Sequence, residues 1–496
     1  MLQVQSLSEF ESPATGDRAT VALINSCPIY CDKTQLNNET QQFTSYIRDW
    51  KDITITLDML ATRETSRTIG AGDLFLPVED STLKKLVSIL RDKGVIETLR
   101  ATSMEEPENV GKAFHWLATK IITTMDYVES KLLACEGLVS IDSSSVPDIA
   151  ATQDWKTALV RCLAWHPHCS RLALASRDDR IRIFSPEMKG IATLRHAAQK
   201  SVCSMSWRPN AGRELAAACW CGVLIWTIEL GAASNSLSHA VLLRQRNHAP
   251  VTSVSWNPQG NLLVSCSPND SSMIVWDVAS ETGVPLKRIG GGGICFSKWS
   301  LNGDKLFAAS CRTVFRLWDT GIGNSWSAEK WSVPNGRVAA ACFGPKTLLF
   351  TSTDDSASLF SVALKDNIFN IKQKISSDDF KTAVPLINLS RVSFTNNNDD
   401  DEVIVGGRVL SMDWDPSGSY LAILFQESPL VAIFKTIVTS SFLTELIPGC
   451  LVKGFPKEIP NCLQFHQSID SNKMIACLTI AWSSGRIQQF PIVENI

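Results

Sequence analysis

His248–Asp277 reads HAPVTSVSWNPQGNLLVSCSPNDSSMIVWD, and this stretch decides the fold. Val251, Ser253 and Ser255 alternate with Thr252, Val254 and Trp256, the period of two that a pleated strand imposes on its two faces. Asn257-Pro258-Gln259-Gly260 stops that strand, because Pro has no amide donor and Gly takes turn dihedrals that other residues avoid. Leu262–Cys266 is an apolar run of buried-strand length, Pro268-Asn269-Asp270 is the next turn, and Met273–Trp276 is a third strand closing on Trp276-Asp277. His248 stands ahead of the first strand and Asp270 in the second turn.

The unit recurs. An aromatic residue ends a first strand at Trp165, Trp207, Trp256, Trp299, Phe343, Trp414 and Phe465, at steps of 42, 49, 43, 44, 71 and 51 residues. A third-strand aromatic follows at Phe184, Trp226, Trp276, Trp318, Phe360, Phe434 and Phe490, in five cases 19 or 20 residues later. Two markers in register seven times, near the blade period of about 40–45 residues, predict an all-β seven-bladed WD-repeat β-propeller. His248, Ser265, Asp270 and Trp276 read as a structural hydrogen-bond relay within the third blade. The turn aspartate recurs as Asp178 and Asp354 but is Trp220 and Arg312 in the second and fourth blades, where the repeat is degenerate. The last blade has room for only three strands before Ile496. An open blade exposes unpaired backbone, so an N-terminal strand is expected to close the ring, with Ile53–Leu57 the first choice and Thr20–Ile24 the second.

The organisation expected is an N-terminal segment (1–62), a helical segment (63–140), a Ser-rich linker (141–154) and the propeller (155–496), with an insertion at about 362–407. Residues 1–18 are polar and expected to fray. Ser81–Asp92 has helical periodicity in Leu83, Leu86, Val87 and Leu90. A second helix starts near Ser103 or Pro107. Its apolar face is Val110, Phe114, Leu117, Ile121, Met125, Val128 and Leu132, expected to pack on the propeller or on the other helix, the alternative being an exposed stripe for a partner helix. The insertion carries Ser376–Asp379 and the run Asn396–Glu402, which reads as a solvated loop.

Hydrophobic residues make up 44% of the 496 and charged residues 20%, a globular balance. The net charge of −3 gives no electrostatic footprint for nucleic acid. No apolar run reaches the roughly 18 residues of a membrane span. The 15 cysteines are odd in number and no signal peptide is evident, so a reducing compartment is expected. Gly290–Gly293 precedes a strand rather than a helix, so it reads as a bent connection and not a phosphate cradle. His166-Pro167-His168, Cys219 with Cys221, and Cys27 with Cys31 lack a second pair at metal-ligand spacing. No G-x-S-x-G, Walker or zincin pattern occurs. No catalytic residue, cofactor or metal is expected.

Beyond the repeat, the wording is specific. WHPH at 165–168, VLIWT at 223–227, HAPVTSVSWNPQG at 248–260, SPNDSSMIVWDVASETGVPL at 267–286, the glycine run before Trp299, TVFRLWD at 313–319, WDPSG at 414–418 and WSSGRI at 482–487 resemble the aladin family of WD-repeat nucleoporins. LKKLVSILRDKGV at 83–95, ahead of a long helix, follows the family's order. The resemblance implies a non-enzymatic scaffold or adaptor, a peripheral component of the nuclear pore complex at the nuclear envelope. It implies anchoring by a transmembrane nucleoporin of the pore membrane and contact with other nucleoporins. The implied roles are nucleocytoplasmic transport, chiefly protein import, and mitotic spindle assembly, with a cytoplasmic pool and spindle-pole localisation. The family has no catalytic residues to transfer. Its members carry a Pro-rich tail after the last blade, whereas this chain stops at Ile496, a departure that bears on any partner docking there. The alternative is a substrate receptor of a cullin-type ubiquitin ligase. Such receptors often carry Arg two residues after Trp-Asp. Here Val278-Ala279 and Thr320-Gly321 follow the two Trp-Asp pairs that close third strands, and no F-box-like segment precedes the blades.

Overall fold

The computed structural model describes residues 5–14, 16–33, 53–61, 111–136 and 146–494, less 187–190, 229–238, 288–291, 321–325, 334, 354–357, 365–382, 397–398, 439–443 and 467–473. Between 62 and 110 it describes residues 86, 98–99 and 102–103. The chain divides into two compact units, residues 1–57 with 141–496, and residues 58–140.

Among the described residues of the first unit, seven antiparallel blades begin on Val160–Trp165, Ser204–Trp207, Ser253–Trp256, Ile294–Trp299, Val338–Phe343, Val409–Trp414 and Pro460–His466. Each of these inner strands packs on the next, and the seventh packs back on the first, so the ring is closed. The apolar clusters lie between neighbouring blades. Second strands such as Leu172–Ser176, Lys305–Ser310 and Tyr420–Phe425 are buried along their whole length because a blade stacks on both sides of them. That is why they read as continuous apolar runs, while the outer strand Thr282–Lys287 is mostly exposed. Turn chemistry sets the register. Gly260, at φ +72°, donates its N–H to Asn257 O at 2.9 Å, and a Cβ there would lie 2.4 Å from Pro209 O of the neighbouring blade.

N-terminal backbone completes the last blade, but through two segments. Ala19–Ile24 runs parallel to Arg486–Val493, with Leu23 opposite Ile492 and Ile24 opposite Val493. Cys27–Cys31 folds back on it through Asn25 and Ser26, whose φ values of 49° and 64° suit a tight hairpin turn. Ile53–Thr54 takes the other half of the same edge, antiparallel to Ile487 and Arg486. The second-choice segment therefore forms the longer strand. Ile53–Leu57 does not continue as one, because Ile55 N–H is taken by Gly485 O at the hairpin bend and Leu57–Ala61 is helical.

Residues 1–18 do not fray where they are described. Gln5–Ser6 pairs in parallel with Ile387 and Asn388 on the outer strand of blade 5. Leu7 is fully buried, and Phe10 meets Phe434 edge-on at 4.9 Å. Lys453 of blade 6 donates to the carbonyls of Ala14 and Gly16 at 3.1 and 3.0 Å. The segment is a strap across the outer edges of blades 5 to 7. Its polar composition conceals two apolar anchors.

The insertion holds the outer strand of blade 5, Val384–Asn388, and then a separate hairpin, Val392–Asn396 with Asp399–Val405. The expected loop over Asn396–Glu402 is thus the end of a hairpin. The alternation that forms it lies in the flanks, where Val405 is buried and Val392, Phe394 and Val403 pack against the cluster between blades 5 and 6. Ser376–Asp379 and Asp354 lie outside the described residues.

The second unit is described chiefly by the helix Lys112–Glu136. Its buried positions are Ala118 and Ile122, whereas Phe114 and Leu117 of the expected face are exposed, as is Trp116. The buried line sits one residue on, about 100° around the helix. Val110 and the side chains from Met125 onward lie outside the described residues, as does the helix at Ser81–Asp92 except Leu86, which is helical and buried. No described helix is long and apolar enough to cross a membrane.

Candidate functional site

The third blade holds the arrangement most like chemistry. His248 Nδ1 lies 2.7 Å from Asp270 Oδ2, and its Nε2 lies 2.8 Å from Ser265 Oγ. Burial alone would raise the Asp270 carboxyl, but hydrogen bonds from His248 and Ser272 outweigh it and hold it below the usual value. Asp–His–Ser in this order has the connectivity of a nucleophilic triad. Ser265, however, is fully buried, and its oxygen also accepts the Trp276 indole N–H at 2.8 Å. A serine sealed between strands and committed to an indole cannot reach a substrate. The relay ties the segment ahead of the first strand and the turn at Asp270 to the second and third strands of the blade. Blade 2 replaces it with Gln199, whose Oε1 accepts the Trp226 indole at 3.0 Å while its Nε2 donates to Leu194 O at 3.2 Å. Gln199 stands eight residues before Trp207, as His248 stands before Trp256, but its residue type carries no His or Asp marker of the repeat.

The first-strand markers act at the seams between blades. The Trp207 indole donates to Ala164 O at 2.9 Å, that of Trp299 to Ser255 O at 3.3 Å, and that of Trp165 to Thr479 Oγ1 of the last blade at 2.8 Å. Trp256 lies under the Arg208 guanidinium, 5.1 Å from the ring centre. Trp414 donates to Thr436 Oγ1 at 3.2 Å and covers Gly344 of the preceding blade, where a Cβ would lie 2.3 Å from the ring. Trp318 is buried in the cluster between blades 3 and 4. The residue before the marker forms a second latch. Ser206 Oγ accepts from Trp256 N at 3.3 Å, Gln464 Oε1 from Trp165 N at 3.0 Å and Asp413 Oδ2 from Phe465 N at 2.7 Å. One side chain thus reaches the next blade's backbone at three seams, a regularity hidden in sequence by its three residue types.

Asp413 is the costly latch. Burial pushes its carboxyl up to about 6, and Lys298 with the Phe465 and Trp414 amides offsets only part of that. A folded-state pKa above the unfolded value of about 3.9 means the native state binds the proton more tightly. The stability this group contributes is therefore full below about pH 4 and lost as pH rises through 6. Asp413→Asn keeps an acceptor for Phe465 N–H without the charge. It is expected to be more stable than wild type at pH 7.5, by up to about 2 kcal/mol, and equal to it near pH 4. Urea melts at the two pH values check this; a less stable variant at pH 7.5 contradicts it.

The inner strands surround a central cavity of about 200 Å³, with Lys298 and Asp413 on its wall. The stretch read as a linker, described from Val146 on, lines this cavity through Ile149–Thr152. Its helix Val146–Ile149 is tied to blade 5 by the Arg337 guanidinium, which donates to Asp148 O. Val146 and Ala150 pack with Trp155 against Cys203 and Trp220 of blade 2. Gln153 N donates to Asn461 O of blade 7 at 3.2 Å. Trp220, which displaces the turn aspartate of blade 2, thus serves the channel mouth.

The remaining candidates are spent on structure. His166 is buried, its pKa lowered to about 4 by burial and then by Arg171, and its Nδ1 accepts from His168 N at 3.0 Å. Among the described residues, no three His, Cys, Asp or Glu side chains are grouped to hold a metal.

Over residues 141–493 the sequence matches the family described as "Aladin seven-bladed propeller". The chain belongs to the aladin family. It is 29% identical over 364 residues to the protein named Aladin in Arabidopsis thaliana, covering 67% of this chain and 75% of that relative. The match to the aladin propeller takes in the channel-mouth helix Val146–Ile149 and ends at the last residue of the last strand, Val493. The closing strand Ala19–Ile24 lies outside it. This is an aladin-type WD-repeat protein of the nucleoporin kind.

Proposed function

We propose that this chain is a non-enzymatic scaffold of the nuclear pore complex, peripheral to the pore membrane and held there by a transmembrane nucleoporin. It supports nucleocytoplasmic transport, chiefly protein import, and joins spindle assembly in mitosis. The observation that carries the reading is membership of the aladin family over all seven blades. The chemistry agrees with it. The triad-like arrangement of blade 3 is sealed by Trp276, and the blades bury their core against one another, leaving loops and faces for partners. Imaging the full-length tagged protein tests the proposal. A punctate nuclear rim in interphase is expected, with other nucleoporins recovered on purification. Diffuse cytosolic signal with a co-purifying cullin contradicts it and favours the ligase-receptor alternative.

A further inference from the structure

In blade 4 the sulfurs of Cys295 and Cys311 stand 3.1 Å apart. Backbone features on both sides bring them together. Cys295 is the extra residue of a bulge, where pairing shifts from Ile294 opposite Ser310 to Phe296 opposite Ala309. A bulge re-aims the side chain it carries. Cys311 follows the second strand, and its N–H donates to Gly293 O at 2.8 Å. Gly293 in turn crosses the Pro268 carbonyl so closely that a Cβ would lie 1.6 Å from it. The carbonyl that holds Cys311 therefore sits on a chain fixed against blade 3. Cys295 is buried among the protein atoms but lines the central cavity, and Cys311 is half-buried.

The electrostatics favour reaction at this pair. The Cys295 and Cys311 thiols lie within hydrogen-bond distance, and this contact lowers the Cys295 pKa and raises that of Cys311. The charge of Arg337, at the channel mouth, lowers both. At other strand thiols burial outweighs what nearby cations or hydrogen bonds supply. Burial pushes Cys266 and Cys462 up to about 12.

We infer that Cys295 and Cys311 are an oxidative modification site, converted by hydrogen peroxide into an intramolecular disulfide. The Cys295 thiolate attacks one peroxide oxygen and the O–O bond breaks. The departing hydroxide takes up a proton and leaves as water, with Cys295 now a sulfenic acid. The Cys311 sulfur then attacks the Cys295 sulfur, displacing the hydroxyl, which leaves with the Cys311 proton as a second water. Two thiol sulfurs are oxidised by two electrons in all, and the two peroxide oxygens are reduced to water. The sulfurs need to close only roughly 1 Å to reach the disulfide length of about 2.05 Å. Thiol reductants reverse the step.

The test uses the full-length protein treated with hydrogen peroxide, quenched with iodoacetamide, and digested with trypsin without reduction. Lys298 and Lys305 separate the two cysteines, so the bond yields a linked pair of peptides. The expected result is a Cys295–Cys311 linked species in at least several-fold excess over any other cysteine pair, lost on adding dithiothreitol. In Cys311→Ser, Cys295 is expected to proceed to sulfinic acid instead. Far-UV circular dichroism of that variant shows whether it folds, and the wild-type result stands without it. Recovery of both residues singly alkylated while other cysteines oxidise, or random pairing at equal yield, overturns the inference.

Discussion

A chain lacking residues 1–33 is expected to lose slow amide exchange across Arg486–Val493 and Val384–Asn388 while blades 1 to 4 keep theirs. The deleted strap supplies the parallel partner of the last strand and the extra strand on blade 5. It also buries Leu7, Phe10, Val21 and Leu23, each contributing about 1.5–3 kcal/mol by area removed from water. Its loss exposes partners on three blades at once, since Leu7 and Phe10 share a cluster with Ile387 and Phe434, and Leu23 one with Leu478 and Phe490. A milder variant separates packing from deletion. Leu23→Ala alone is expected to cost about 2–5 kcal/mol, because Leu23 is buried in the cluster with Leu478, Phe490 and Ile492. Unchanged exchange in the last blade after the deletion means that the strap does not close the ring.

Trp276→Ala is expected to cost about 3–5 kcal/mol in unfolding free energy. Trp276 is 2% exposed, and its indole caps the Ser265 hydroxyl. Truncation opens a large cavity and leaves the relay to Asp270 short of one donor. Trp276→Phe retains most of the ring and drops only the N–H, so it should cost about 1–3 kcal/mol, the range for a buried polar atom left short of a partner. The comparison distinguishes packing from hydrogen bonding. Under the scaffold reading, Trp276→Ala leaves the nuclear rim because it unfolds. A variant that melts within a degree or two of wild type yet leaves the rim would show that Trp276 acts through a specific contact.

The sequence made the blades legible because two physical signals coincide in them. Inner and third strands end on aromatics large enough to fill the gap between sheets, and Pro or Gly marks the turns. The closing strands were legible only in part. Ile53–Leu57 has the cleaner alternation, yet the Gly485 bend diverts it, and Ala19–Ile24 owes its place to a parallel edge that no local pattern announces. Leu7 and Phe10 were hidden among polar neighbours, because two anchors give no period. The helix Lys112–Glu136 was legible from its period, but over its described side chains the buried positions are Ala118 and Ile122 rather than Phe114 and Leu117. At the candidate site, the relay of blade 3 could be read from residue types, whereas Gln199 does the same task without resembling it. The thiol pair was not legible, because it depends on a one-residue bulge.

The most direct test is an experimental density map of the full-length chain. The expected map has seven blades around one axis, with Ala19–Ile24 running parallel to Arg486–Val493 and Leu7 and Phe10 seated between blades 5 and 6. Six or eight sheets, or a last blade completed by anything other than residues before Leu57, would contradict the architecture on which the scaffold reading rests.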